Sequence, residues 1–154
     1  MLGSMTEITL DVLVAAPAQR VWDLLFDWER QGEWMLGTRV EVTQGDGASV
    51  GSAVEAWTGA GPLGFLDTMT ITTWDPPRLC EVLHTGKVVK GTGRFEVLSI
   101  GTDRCRFIWS EDLDLPLGAL GSAGWPLARP FFAAGVRHSL NKLVRLAEAE
   151  HAAN

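Results

Sequence analysis

Tyrosine is absent from this chain of 154 residues, and cysteine and histidine are scarce, at two and three copies. Each shortage removes a class of chemistry. Without tyrosine there is no phenol, a group that many polar active sites use to orient or protonate a substrate. The histidines lack metal-ligand spacing, and Cys80 and Cys105 form no CxxC pair, so neither a metal nor another cofactor is expected. Both cysteines sit in strand-like stretches and read as small, reduced core residues. No GxSxG is present to make a nucleophile elbow. Basic residues also run short: 13 Lys and Arg against 19 Asp and Glu leave a net charge of −6. Nucleic acid and anionic membranes, which want a basic face, are therefore not expected as partners. No apolar run reaches the roughly 18 residues of a membrane span, so stable membrane insertion is not expected. The amino end lacks a cationic segment followed by an apolar run, and a cytoplasmic location is expected. Met1 to Ser4 read as a vector remnant, with Met5 as the true start.

Apolar side chains and tryptophan are plentiful instead. Apolar residues make up 46%, charged residues only 21%, and there are seven Trp, a globular composition. The length suits one domain, expected over residues 5–151. Glu7 to Val14 alternates, with Ile8, Leu10, Val12 and Val14 on one side, as a strand with one buried face does. Pro17 is placed for the first turn of a helix over Ala18 to Asp27. A shorter helical piece follows over Trp28 to Glu33.

From there the pattern is β. Strands are predicted over Thr38–Thr43 (Val40 and Val42 inward), Val50–Trp57, Phe65–Trp74 (Met69 and Ile71 on one face), Arg78–Thr85, Val88–Ile100 and Arg104–Leu113. Turns over Gln44–Ser49 and at Asp75-Pro76-Pro77 and a flexible loop over Thr58–Gly64 separate the first four. The inward faces of 50–57 and 78–85 stay open, because both faces are mixed. A loop over Leu115–Gly121 leads to a long helix over Ser122–Glu150. Its second half is amphipathic, with Phe132, Val136, Leu140, Leu143 and Ala147 on one stripe. Its first half, with Trp125, Leu127 and Phe131, is apolar nearly all round. Strands joined by short turns are antiparallel. With one long helix to cover their apolar face, the expected fold is α+β: a curved antiparallel sheet of about seven strands wrapped round the carboxy-terminal helix, with two short helices after the first strand.

The run Pro17-Ala18-Gln19-Arg20-Val21-Trp22-Asp23-Leu24-Leu25, then Asp27 and Trp34, resembles the START-like, polyketide cyclase/dehydrase (SRPBCC) superfamily of helix-grip proteins. Asp75-Pro76-Pro77-Arg78, Gly91-Thr92-Gly93-Arg94-Phe95 and Trp109-Ser110-Glu111 add to the likeness. Gly124 to Pro130 and Ser139-Leu140 are similar to a bacterial subgroup of it. The resemblance implies a hydrophobic cavity between sheet and helix that binds or carries a lipid, sterol, hormone or polyketide. A minority of members catalyse cyclisation or dehydration, and some relatives act as regulatory or toxin-like partners; Gly118 to Trp125 would then be an exposed apolar patch. The oligomer is left as monomer or homodimer.

Strand parity supplies the candidate chemistry. Cys105, Phe107, Trp109, Glu111 and Leu113 share one face, so Glu111 is predicted to point inward near the strand's end. There it either sits at the rim, solvated or paired with Arg129, or anchors a ligand and serves as an acid/base group. His84, beside the Thr85-Gly86 turn, is ordinarily a solvated or satisfied side chain and gains a role only if it faces Glu111 or the cavity mouth. As an enzyme the chain would use Glu111 and His84 as acid and base, with Arg129 holding a polar end; a separation beyond roughly 10 Å would exclude that. Trp34, Trp57, Met69, Ile71, Leu83, Phe95, Trp109, Trp125, Phe131, Phe132 and Val136 are the candidate lining residues, although any one of them taken alone is more readily plain core than ligand contact. Gly91-Thr92-Gly93 lies inside a strand and does not read as a phosphate loop.

Overall fold

The computed structural model describes the backbone of residues 5–114 and 118–154, and the side chains of residues 7–114, 130 and 132–154. Its elements run β1 (Met5–Val14), α1 (Ala18–Leu25), a 3-10 segment (Trp28–Glu33), β2 (Thr38–Gln44), β3 (Ala53–Ala60), β4 (Leu63–Asp75), β5 (Leu79–Thr85), β6 (Lys90–Ser99), β7 (Cys105–Asp114) and α2 (Gly118–Ala152). The strands form one antiparallel sheet in the order β1-β7-β6-β5-β4-β3-β2. This is the expected helix-grip arrangement. Only β1 lies out of chain order, because α1 and the 3-10 segment carry the chain across the sheet before the meander begins. No helix of the described residues is long and apolar enough to cross a membrane.

Two stretches differ from the sequence reading. Thr58–Gly64 is not a flexible loop. β3 and β4 stay paired out to Ala60 and Leu63, and Gly61, at φ +59°, turns the chain in the minimum length. The loop predicted over Leu115–Gly121 is helical from Gly118, since the alanine and leucine between its glycines favour helix. Val42, expected inward, is half-exposed, because a bulge breaks the β2–β3 register just beyond it.

The core lies where α2 crosses the sheet. Leu140, Leu143 and Ala147 on α2 are fully buried with Val21 and Leu25 of α1, Ile71, Cys80, Val82 and Phe107. Burial pushes the Cys80 thiol up to about 12 and the Cys105 thiol to about 11. Both therefore stay protonated and unreactive near neutral pH. Many of the large rings collect to one side. Trp22 meets Phe26 at 4.5 Å and Trp74 at 5.0 Å, Phe26 meets Phe95 at 5.8 Å, and Phe95 meets Trp109 at 5.5 Å. This ring cluster packs α1 and the residue that ends it against β4 and β6.

Candidate ligand cavity

Beside this ring cluster, and bordered by its Phe26, Phe95 and Trp109, lies a cavity of about 300 Å³ between the inner face of the sheet, the 3-10 segment and the stretch of α2 from Phe132 to Ser139. Its wall is mostly apolar: Leu25, Phe26, Trp28, Trp34, Met35, Val40, Met69, Val82, Phe95, Trp109, Leu113 and Val136 all contribute. The volume lies at the lower end of the range for small-molecule sites.

Three ionisable side chains interrupt this wall, and they touch one another. On β5 the inner face is Cys80, Val82 and His84, leaving Glu81 and Leu83 outward. His84 Nε2 donates to Glu111 Oε2 on β7 at 2.8 Å, and His84 Nδ1 donates to Asp67 Oδ1 on β4 at 2.8 Å. Glu111 Oε1 accepts from the Trp109 indole Nε1 at 2.8 Å. Burial alone would lower the pKa of His84; hydrogen bonds to both carboxylates and their charges outweigh it and push the value up to about 10. His84 is therefore an imidazolium at neutral pH, with both protons committed.

A bare strip of β6 makes this contact achievable. β6 lies between β5 and β7, so a side chain there would separate His84 from Glu111. The inward positions of β6 opposite them are Gly91 and Gly93. A Cβ on Gly93 would stand 3.0 Å from Glu111 Oε2 and 3.0 Å from Val82 Cγ2. The Gly-Thr-Gly run thus clears the cavity floor so that two side chains can meet across a strand. Gly93→Ala should displace the Glu111 carboxylate and cost about 1–2 kcal/mol. Urea denaturation reads that cost, and an unchanged midpoint would show the floor has room to spare.

The raised pKa of His84 fixes the sign of a pH dependence. A group with a folded value above its ordinary 6.5 contributes its full stabilisation below that pH. The contribution shrinks as pH rises and is gone above about 10. Denaturation between pH 6.5 and 9, largely below the range where the unfolded thiols ionise, should show stability falling by on the order of 3 kcal/mol, and a flat profile would mean that His84 is not clamped.

Of the lining residues inferred from sequence, Trp34, Met69, Phe95, Trp109, Phe132 and Val136 border the cavity. Three others do not. Leu83 and Trp57 lie on the outer face of the sheet, where Leu83 is exposed and Trp57 carries the Arg39 guanidinium over its ring at 5.6 Å. Ile71 is fully buried in the core, below the cavity. The rim position weighed for Glu111 does not hold, as the residue is only 8% exposed. Of the two ordinary readings of His84, solvated or satisfied, the second holds: both ring nitrogens are paired, with Asp67 and Glu111. Trp125, Arg129 and Phe131, and the patch proposed over Gly118 to Trp125, lie outside the described side chains. Asp67 was missed, although it stands two residues before Met69 on an alternating strand and so shares its face. The buried Ser139 Oγ accepts from the Leu36 backbone N–H at 3.0 Å and so fastens α2 to the cavity's edge.

Residues 5–148 match the family model described as polyketide cyclase / dehydrase and lipid transport. The chain belongs to this family. Among curated protein sequences none matches significantly. Solved structures share the fold at low identity. A Thermus thermophilus protein has a TM-score of 0.78 at 18% identity, over 94% of this chain and 99% of that one. The Zhui aromatase/cyclase from Streptomyces sp. R1128 has a TM-score of 0.73 at 21% identity, over 94% of each chain. A START superfamily protein from Mycobacterium smegmatis has a TM-score of 0.76 at 14% identity, over 95% and 99%. Membership in this START-like polyketide cyclase family supports a hydrophobic ligand-binding or cyclase role.

Proposed function

We propose that the chain, acting as one domain over residues 5–151, binds or carries a small, largely apolar molecule between its sheet and α2, with the His84–Glu111 pair at the polar end. The apolar wall of the 300 Å³ cavity is the observation that supports this most. Burial of such a surface by a ligand is favourable at about 25 cal/mol per Å². The two unpaired, buried cysteines fit a reducing compartment, so cytoplasm remains part of the reading. Native mass spectrometry of protein purified from its own host, followed by extraction, tests it. A stoichiometric lipid- or polyketide-sized adduct is expected. A protein that arrives empty and also takes up no apolar probe would refute it.

One observation favours a second reading, an enzyme of the cyclase/dehydratase type. Glu111 and His84 are in hydrogen-bond contact on the cavity wall, so a bound substrate could meet both. Against it, both His84 protons are already held by carboxylates, and a donor with a pKa near 10 releases protons slowly at neutral pH. Turnover of polyketide substrates by the wild type, lost in Glu111→Gln, would establish this reading; binding without turnover would exclude it.

A further inference from the structure

We infer that the cavity selects a ligand bearing a protonated amine on an apolar body and rejects the carboxylate of the same skeleton. This rests on the cavity being the binding site. The basis is which hydrogen-bonding positions remain free. Every donor in the polar cluster is spent: His84 Nδ1 on Asp67, His84 Nε2 on Glu111 and the Trp109 indole on Glu111. Acceptors remain. Each Glu111 oxygen has taken one donor and can take another, and Asp67 bonds His84 through Oδ1, leaving Oδ2.

Two of the hydroxyls bordering the cavity are paired with each other. Thr38 Oγ1 donates to the Leu36 carbonyl at 3.0 Å and lies 3.0 Å from Thr58 Oγ1. The Trp34 indole N–H has no partner among the described residues, but it is sealed from solvent.

Charge points the same way. Two carboxylates flank one imidazolium, and no lysine or arginine is among the described residues lining the cavity. The surrounding Met69, Val82, Phe95 and Leu113 hold the local dielectric down, so the surplus negative charge is weakly screened. A carboxylate reaching this cluster would meet like charge and find every donor within it already used. An ammonium would supply up to three donors to acceptors already in place.

Isothermal titration at pH 7 with naphthylmethylamine, naphthalenemethanol, naphthoic acid and naphthalene itself tests this. The amine should bind tightest and the acid weakest, with a ratio of roughly tenfold or more between them. Asp67→Asn removes the surplus charge at the cluster's most accessible member and should shrink that ratio about tenfold; Glu111→Gln is the second variant should Asp67→Asn misfold. An acid that binds as well as the amine, or a ratio unmoved by either substitution, overturns the amine preference and leaves the apolar binding site standing. Failure of all four compounds, naphthalene included, overturns both.

Discussion

Replacing His84 with alanine should cost about 3–5 kcal/mol at neutral pH, the range for removing one member of a buried ionic group. The imidazole joins Asp67 to Glu111, with 2.8 Å hydrogen bonds on both sides. Its loss leaves two like charges in an apolar wall with the Trp109 indole as Glu111's one remaining donor. The His84 side chain is 3% exposed and that of Glu111 is 9%, so water does little to compensate. The same variant should lose the decline in stability between pH 7 and 9, the range in which His84 titrates from the unfolded chain and the buried thiols of Cys80 and Cys105 contribute little. Urea denaturation of both proteins at pH 7 and pH 9 reads both effects. A cost below about 1 kcal/mol would mean that the cluster is solvated in solution and behaves as a surface ion pair.

Gly135→Leu should weaken apolar ligand binding about a hundredfold and leave the fold intact. Gly135 sits within the 35 residues of α2 and borders the cavity, yet a Cβ there would meet nothing within 4 Å. Glycine in a helix interior costs about 1 kcal/mol relative to alanine, so a glycine that no packing demands sacrifices stability. What it preserves is open space. A leucine there would project into the cavity, relieve the helix penalty and occupy the volume a ligand needs. Thermal unfolding should rise by a few degrees, and affinity for an apolar probe should fall about a hundredfold, the equivalent of roughly 3 kcal/mol of overpacking. A variant that binds as well as wild type would place the ligand elsewhere.

How much of this was legible in the sequence depends on how many strands a feature involves. Features set within one element read cleanly. The inward face of β1, the apolar stripe of α2 and the inward direction of Glu111 follow from periods of 2 and 3.6 residues. Features that need two elements did not. Glu111 and His84 are 27 positions apart, and their contact depends on the register of β5, β6 and β7 together. His84's face was ambiguous because Glu81 and Leu83 mix polar and apolar residues on the outward side of β5. Trp57 and Leu83 were drawn inward by hydrophobicity alone, whereas the outer face of this sheet also carries large apolar groups. The Gly-Thr-Gly run was visible as a motif, but its purpose emerges only once Gly93 is seen opposite Glu111 and Val82.

The tryptophans allow the central claim to be tested at separate points of the molecule. Trp28, Trp34 and Trp109 border the cavity, Trp22 and Trp74 belong to the ring cluster beside it, and Trp57 lies on the outer face of the sheet. Each indole N–H gives its own signal in a proton–nitrogen NMR spectrum. Titration with naphthalene should move the Trp109, Trp34 and Trp28 signals saturably and leave Trp57 in place. If Trp57 moves while Trp109 stays fixed, or if no indole moves at saturating probe, the cavity between sheet and α2 is not where this protein binds its ligand.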